Sequence, residues 1–139
     1  MLKKTKKYFI PALAIFVVLT IADTIIHDIL MKDLYLANSN LFRPMVEIKK
    51  HCYSFMLANL IFSVAFCYIY SKGHEKKDSI VQGIRFAVWV ILLTVIPMTI
   101  TSYTIYPHPK NLELTWLIAY SVEMILAGIT VAMVFPKIK

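Results

Sequence analysis

The chain has 139 residues, of which 59% are hydrophobic and 17% charged, and its formal net charge is +7. A soluble domain ordinarily has about 25% charged residues, so this composition argues against a soluble fold. The basic residues flank apolar blocks instead of lining a polar face, which argues against nucleic-acid binding and favours contact with a bilayer.

Four apolar blocks are each long enough to cross about 30 Å of hydrocarbon as a helix. They predict a single all-α domain, a four-transmembrane-helix bundle of a polytopic membrane protein, with spans at about 8–31, 44–71, 80–106 and 112–135. A strand interpretation fails because alternation is missing, the blocks are too long, and four strands cannot close a barrel.

The first block follows a lysine-rich segment and continues into TIADTIIHD. We expect no signal cleavage here, because no A-x-A site follows the apolar run. On a helix, Thr20, Asp23, Thr24 and His27 fall within about 100° of one another and form a polar stripe. An ionised carboxylate in a span costs about 2.5–3.5 kcal/mol, so Asp23 needs a proton, a partner or a wet cavity.

The second block is predicted as one helix that begins at Pro44, because no helix breaker separates this proline from the apolar run that starts at Cys52. Cys52 and Cys67 would lie about 22 Å apart along such a helix, so no internal disulfide is expected. Asn59 and Ser54 are polar residues of this block that could face the stripe of the first block.

The third block opens with Ser79 and Gln82 at the spacing of a capping box, and Pro97 inside it predicts a kink that frees the carbonyl of Leu93. Small residues spaced by four in the third and fourth blocks predict close helix packing within the bundle: Gly83, Ala87, Gly128 and Ala132.

The fourth block has Asn111 as its predicted N-cap and Pro136 as its predicted stop. It carries Glu123, about 16 Å from the start of the block and therefore near mid-depth in a bilayer. This is the second carboxylate that must find a proton, a partner or a wet cavity.

Orientation is predicted from Lys and Arg counts beside the blocks. With the N-terminus inside, ten basic residues lie on the inner side and five on the outer side. The positive-inside rule therefore predicts that both termini are cytoplasmic, in a cell membrane of the bacterial inner-membrane type.

We expect the first and last spans to meet, so that Asp23 and His27, one turn apart, approach Glu123 as candidate ligands of a proton or metal ion. Three further residues are candidates for the lining of the same outward-opening pocket: Asn59, Ser102 and Tyr103. The alternative is purely structural, with Asp23 and His27 hydrogen-bonded to each other and Glu123 protonated.

These features predict a protein that binds or transports a small cation, a proton-coupled solute or an amphipathic compound. The alternative is a non-catalytic accessory or assembly subunit whose polar groups pair with a partner's helices. No hydrolase, phosphate-loop or zinc-protease motif occurs, which disfavours an enzyme, and no cofactor is indicated. The expected partners are the lipid bilayer and either a second copy of the chain or a larger membrane complex.

Overall fold

The structure, a computed structural model, describes residues 2–75 and 79–135, with side chains from residue 8 onward. In this part of the chain all regular structure is helical, which confirms the predicted all-α fold. The α-helices are α1 (Leu2–Asp23), α2 (Lys32–Ala37), α3 (Met45–Lys50), α4 (Cys52–Gly73), α5 (Ile80–Val90), α6 (Ile96–Ile105) and α7 (Lys110–Val134). Four helical stretches are long and apolar enough to cross a membrane, here called the first to fourth spans: Tyr8–Leu30, Cys52–Gly73, Ile80–Ile105 and Lys110–Val134.

The first and fourth spans form the centre of the bundle. α1 packs against both α4 and α7, and α5 packs against α7 as well. The first and fourth spans run antiparallel, since Tyr8 contacts Phe135 at one end and Met31 clusters with Leu112 at the other. This arrangement brings the polar stripe of the first span to the middle of the fourth.

A second contact, between α5 and α7, depends on glycine. A Cβ atom built on Gly83 would overlap the carbonyl oxygen of Gly128, and one built on Gly128 would overlap the carbonyl oxygen of Gly83. Ala87 and Ala132 complete the contact, so the small residues let the two backbones touch. The predicted role of these residues in packing within the bundle is confirmed.

The second block is not the single helix that was predicted. The backbone turns at His51, whose N–H donates to Ile48 and whose carbonyl accepts from Ser54, both three residues away. These short-range bonds tighten the turn and end α3 before α4 begins at Cys52. α3 is therefore a separate exposed helix at the end of the bundle.

The predicted caps also differ from those observed. α7 starts after Pro109, whose carbonyl accepts from Leu112 and Glu113, so Asn111 lies inside the helix instead of capping it. Ser79 is the N-cap of α5, but it makes no side-chain cap bond, and Gln82 donates to the carbonyl of Gly73 instead.

Two spans contain π-helical turns. The first span changes from α to π geometry over Thr24–Leu30, and the third does so over Ile91–Val95. The second π segment directly precedes the helix that contains Pro97, so the wide turn accommodates the carbonyl that this proline cannot bond. The first π segment carries His27, and such turns are frequent at functional sites.

A small aromatic layer covers the end of the bundle that carries α2. Tyr35, Phe42 and Trp116 pack around Met31 and Leu112 in this layer. Phe42 meets Tyr35 and Trp116 edge to face, with ring centroids 5.4 and 6.0 Å apart. The layer lies directly over His27, which stacks on Tyr35.

Five residues that were used to predict the orientation or the end of the fourth helix lie outside the described residues: Lys76, Lys77, Pro136, Lys137 and Lys139.

Candidate cation site

Three potential ligands converge where the first and fourth spans cross. Asp23 and His27 come from the first span and Glu123 from α7, and each offers a ligand atom within 4.8 Å of the other two. His27 Nε2 lies 3.5 Å from Glu123 Oε1. The two carboxylates that sequence analysis placed on different spans therefore lie within reach of one bridging water or ion.

Glu123 is the most deeply buried of the three, with only 4% of the residue exposed. Its Oε1 atom accepts no hydrogen bond from any residue that the structure describes, although it faces His27. A buried carboxylate oxygen without a hydrogen-bond donor is costly, because burial removes the water that would otherwise bond it. This oxygen is aimed at the centre of the cluster, where a proton or a cation would satisfy it.

Asp23 is hydrogen-bonded by a residue of the second span. The side-chain amide of Asn59, on α4, donates a hydrogen bond to Asp23 Oδ2. A carboxylate has two oxygens and several lone pairs, so this bond orients Asp23 and leaves acceptor capacity for the cluster. The hydroxyls of Thr20 and Thr24 instead donate to carbonyls of their own helix, so these members of the stripe do not join the site.

His27 is oriented by a tyrosine. Its Nδ1 lies 2.6 Å from the hydroxyl of Tyr35. The same oxygen accepts the indole N–H of Trp116 at 2.9 Å and directs its own hydrogen toward the sulfur of Met31 at 3.8 Å. Indole nitrogen can only donate, so the tyrosine oxygen acts here as an acceptor for its neighbours.

This network is compatible with a His27 tautomer that is protonated on Nδ1. With the hydroxyl hydrogen of Tyr35 directed at Met31, the oxygen of Tyr35 is free to accept a hydrogen from His27 Nδ1. A neutral imidazole protonated on Nδ1 presents a lone pair on Nε2, the atom that faces Glu123. Two acceptors then face each other across 3.5 Å, an arrangement that a shared proton or a cation stabilises.

Tyr35 itself stays protonated over the physiological range. Burial raises the pKa of Tyr35 above its ordinary value of 10.0, the hydrogen bond from Trp116 opposes this, and the carboxylates of Glu123 and Asp28 raise it further. The phenol therefore supports His27 as a neutral group and adds no charge to the cluster.

With both carboxylates ionised and the imidazole neutral, the cluster would carry a net negative charge. Two ionised carboxylates with oxygens within 4.8 Å of each other would repel by about 3.5 kcal/mol or more at an effective dielectric constant of about 20. A hydrogen bond to a charged group, such as that from Asn59, contributes about 1.5–3 kcal/mol, which is not enough to offset this repulsion. A proton on His27 or on a carboxylate, or a bound metal ion, supplies the missing positive charge.

Two of the predicted pocket residues lie elsewhere. Ser102 donates to Glu113 Oε1 at 2.7 Å, and Tyr103 is 55% exposed on the surface of α6. Ser102 belongs to a separate buried group in which His108 Nδ1 lies 2.6 Å from the same oxygen of Glu113. Glu113 lies in the first turn of α7 and Glu123 ten residues further on, so Ser102 is about 15 Å from the level of Glu123 along the helix.

Tyr35 and Trp116 were not identified as site residues from the sequence. Both lie near the end of a membrane-spanning stretch, which is an ordinary place for aromatic residues. The two residues are 81 positions apart in the sequence, so no local sequence pattern predicts their contact. The one available signal was the spacing of Tyr35 eight residues after His27, about two helical turns along a continuous helix.

The residues around Glu123 must be interpreted from their own chemistry. One imidazole nitrogen and two carboxylates, held by an amide and a phenol, form a donor set that protein metal sites commonly use. No protein-family model, curated protein sequence or solved structure matches this chain.

Proposed function

We propose that the protein is a multi-pass membrane protein that binds a small cation at Asp23, His27 and Glu123, in exchange for protons. The observation that carries the proposal is the buried Oε1 of Glu123, which accepts no hydrogen bond from the described residues and faces His27 Nε2. Four helices of membrane-spanning length and apolarity support the membrane setting.

The donor set favours a divalent transition metal over Mg²⁺ or Ca²⁺. Those hard ions prefer oxygen ligands throughout, whereas imidazole suits Zn²⁺ and its neighbours. A tetrahedral ion with bonds of about 2.0–2.2 Å separates its ligand atoms by about 3.4 Å. The 3.5 Å between His27 Nε2 and Glu123 Oε1 fits this spacing, and Asp23 supplies the third ligand.

Protons compete for the same atoms. A metal ligand must offer a lone pair, so the ion displaces any proton held by His27 Nε2 or by the two carboxylates. The site therefore alternates between a protonated, metal-free state and a metal-bound state, which couples cation binding to proton release. This is the chemistry expected of a proton-coupled cation binder in a membrane.

The finer features of the membrane setting belong to the same proposal. We infer a bacterial-type cell membrane with both termini in the cytoplasm, because basic residues are twice as numerous on that side. The cation site then lies in the outer half of the bilayer, beneath the aromatic layer formed by Tyr35, Phe42 and Trp116.

The test is isothermal titration calorimetry of the purified full chain with Zn²⁺, in detergent or nanodiscs. We expect one ion per chain, at least tenfold weaker binding after Asp23→Asn, His27→Gln or Glu123→Gln, and little change in thermal stability without metal. Glu113→Gln is the matched control, because Glu113 is also buried and lies 2.6 Å from a histidine but is outside the cluster.

Two results would count against the proposal. One is Zn²⁺ binding that none of the three substitutions weakens. The other is a large loss of stability in each variant without any metal binding by the unmodified protein, which would show that the three groups serve only to hold the spans together.

A further inference from the structure

A second site lies at the opposite end of the bundle, between the end of α4 and the start of α5. A cavity of about 150 Å³ opens there, lined by Tyr70, Gly73, Gln82, Arg85, Phe86 and Trp89. The second span ends and the third begins beside it, so the cavity lies at the depth of lipid head groups.

Gln82 contributes an unused acceptor to this cavity. The residue is 7% exposed, and its Nε2 donates to the carbonyl of Gly73 at 3.1 Å. Its Oε1 is buried and accepts no hydrogen bond from the described residues. A buried amide oxygen needs an N–H or O–H donor, and Gln82 is one of the residues that line the cavity.

Arg85 contributes positive charge one turn further along α5. Its guanidinium is paired with Glu75, and both side chains are about half exposed. A guanidinium has five N–H donors, so this pair leaves donors available for an anion. A planar fork of this kind is well suited to a phosphate group.

The lining residues also have an order along the helix. Gln82, Arg85 and Trp89 are spaced by three and then four positions, so they lie on one face of α5, with a rise of about 4.5 Å and then about 6 Å. Trp89 is 65% exposed on the apolar side of Arg85. An acceptor, a cation and an aromatic ring thus follow one another from the membrane surface inward.

A phosphatidylethanolamine molecule presents the complementary groups in the same order. Its ammonium group donates N–H, its phosphodiester carries the negative charge, and its acyl chains continue into the bilayer. We propose that this cavity binds the head group of phosphatidylethanolamine, with the ammonium on Gln82 Oε1, the phosphate on Arg85 and an acyl chain along Trp89.

The test compares head groups that differ only in N–H donors. Native mass spectrometry of the full chain, released from nanodiscs, measures retention of phosphatidylethanolamine, its N-monomethyl and N,N-dimethyl derivatives, and phosphatidylcholine. We expect retention to fall stepwise along this series, by at least tenfold overall, because the last member has no N–H to give Gln82. Equal retention of all four lipids overturns the proposal, and this outcome requires no variant.

Variants separate the two contacts. Gln82→Met should remove the preference among the four lipids, whereas Arg85→Gln should lower the retention of all of them. Arg43→Gln, at the other end of the bundle, is the matched control and should change neither. A preference that survives Gln82→Met contradicts the proposal, as does binding of free phosphoethanolamine as tight as that of the lipid, which would indicate a soluble ligand.

Discussion

Trp116 donates its indole N–H to the hydroxyl oxygen of Tyr35 at 2.9 Å, and that oxygen lies 2.6 Å from Nδ1 of His27. A residue near the start of the fourth span is therefore connected through Tyr35 to His27, a proposed ligand on the first span. Residues that hold a ligand histidine affect metal affinity even though they never touch the ion.

Removing the hydroxyl of Tyr35 should weaken Zn²⁺ binding. Tyr35→Phe keeps the ring but leaves His27 Nδ1 without its partner, so we expect about 10- to 100-fold weaker affinity. Calorimetry on the purified chain measures this, with Tyr103→Phe, an exposed tyrosine on α6, as the control. An unchanged Zn²⁺ affinity in Tyr35→Phe would show that the hydroxyl of Tyr35 does not orient His27 for metal binding.

The same residue should contribute to the alkaline limit of stability. Because burial raises the pKa of Tyr35 in the folded chain, the folded state keeps this proton at pH values where the unfolded chain has lost it. The contribution is complete below about pH 10 and is lost as the pH rises through the higher folded value. Above about pH 10, the midpoint temperature of thermal unfolding should therefore fall less steeply with rising pH in Tyr35→Phe than in the unmodified protein.

The contact between Gly83 and Gly128 should be intolerant of any side chain. Gly128→Ala forces α5 and α7 apart, because the new Cβ overlaps the carbonyl oxygen of Gly83, and we expect a loss of about 1–3 kcal/mol in the free energy of unfolding. Gly73→Ala is the control, since a Cβ there meets nothing within 4 Å. Equal stabilities for the two variants would contradict the close helix contact.

The four spans could be predicted from composition because each apolar block exceeds the length that a bilayer requires. The approach of Asp23 to Glu123 was predicted from the free-energy cost of an unpaired carboxylate in a membrane span. The structure brings their ligand atoms within 4.8 Å of each other. Their role in binding stays a prediction. Ser102 was assigned to the same pocket because it lies in the same half of its span, but it pairs with Glu113, ten residues and about 15 Å from Glu123 along α7.

Other features depend on interactions that no local pattern encodes. The turn at His51 separates α3 from α4 although no proline or glycine lies between them. The π-helical geometry of Thr24–Leu30 likewise has no signature in its sequence, yet it sets the direction of His27. The bond between Trp116 and Tyr35 arises only when the fourth span packs against the first.

The proposed orientation can be tested with a native cysteine. Cys52 is exposed at the end of the bundle that carries α2 and α3, whereas Cys67 is buried. A membrane-impermeant maleimide applied to intact spheroplasts should label the protein, and Cys52→Ser should abolish the labelling. Labelling that appears only after the membrane is permeabilised would place this end in the cytoplasm and reverse the proposed orientation.

Zinc K-edge X-ray absorption of the loaded full chain tests the cation site most directly, because it reports the ligand atoms themselves. The account predicts a mixed nitrogen and oxygen environment with one imidazole at about 2.0–2.1 Å, lost in His27→Gln and retained in Glu113→Gln. A spectrum without imidazole in the unmodified protein, or one that His27→Gln leaves unchanged, would contradict a metal held by His27 with Asp23 and Glu123.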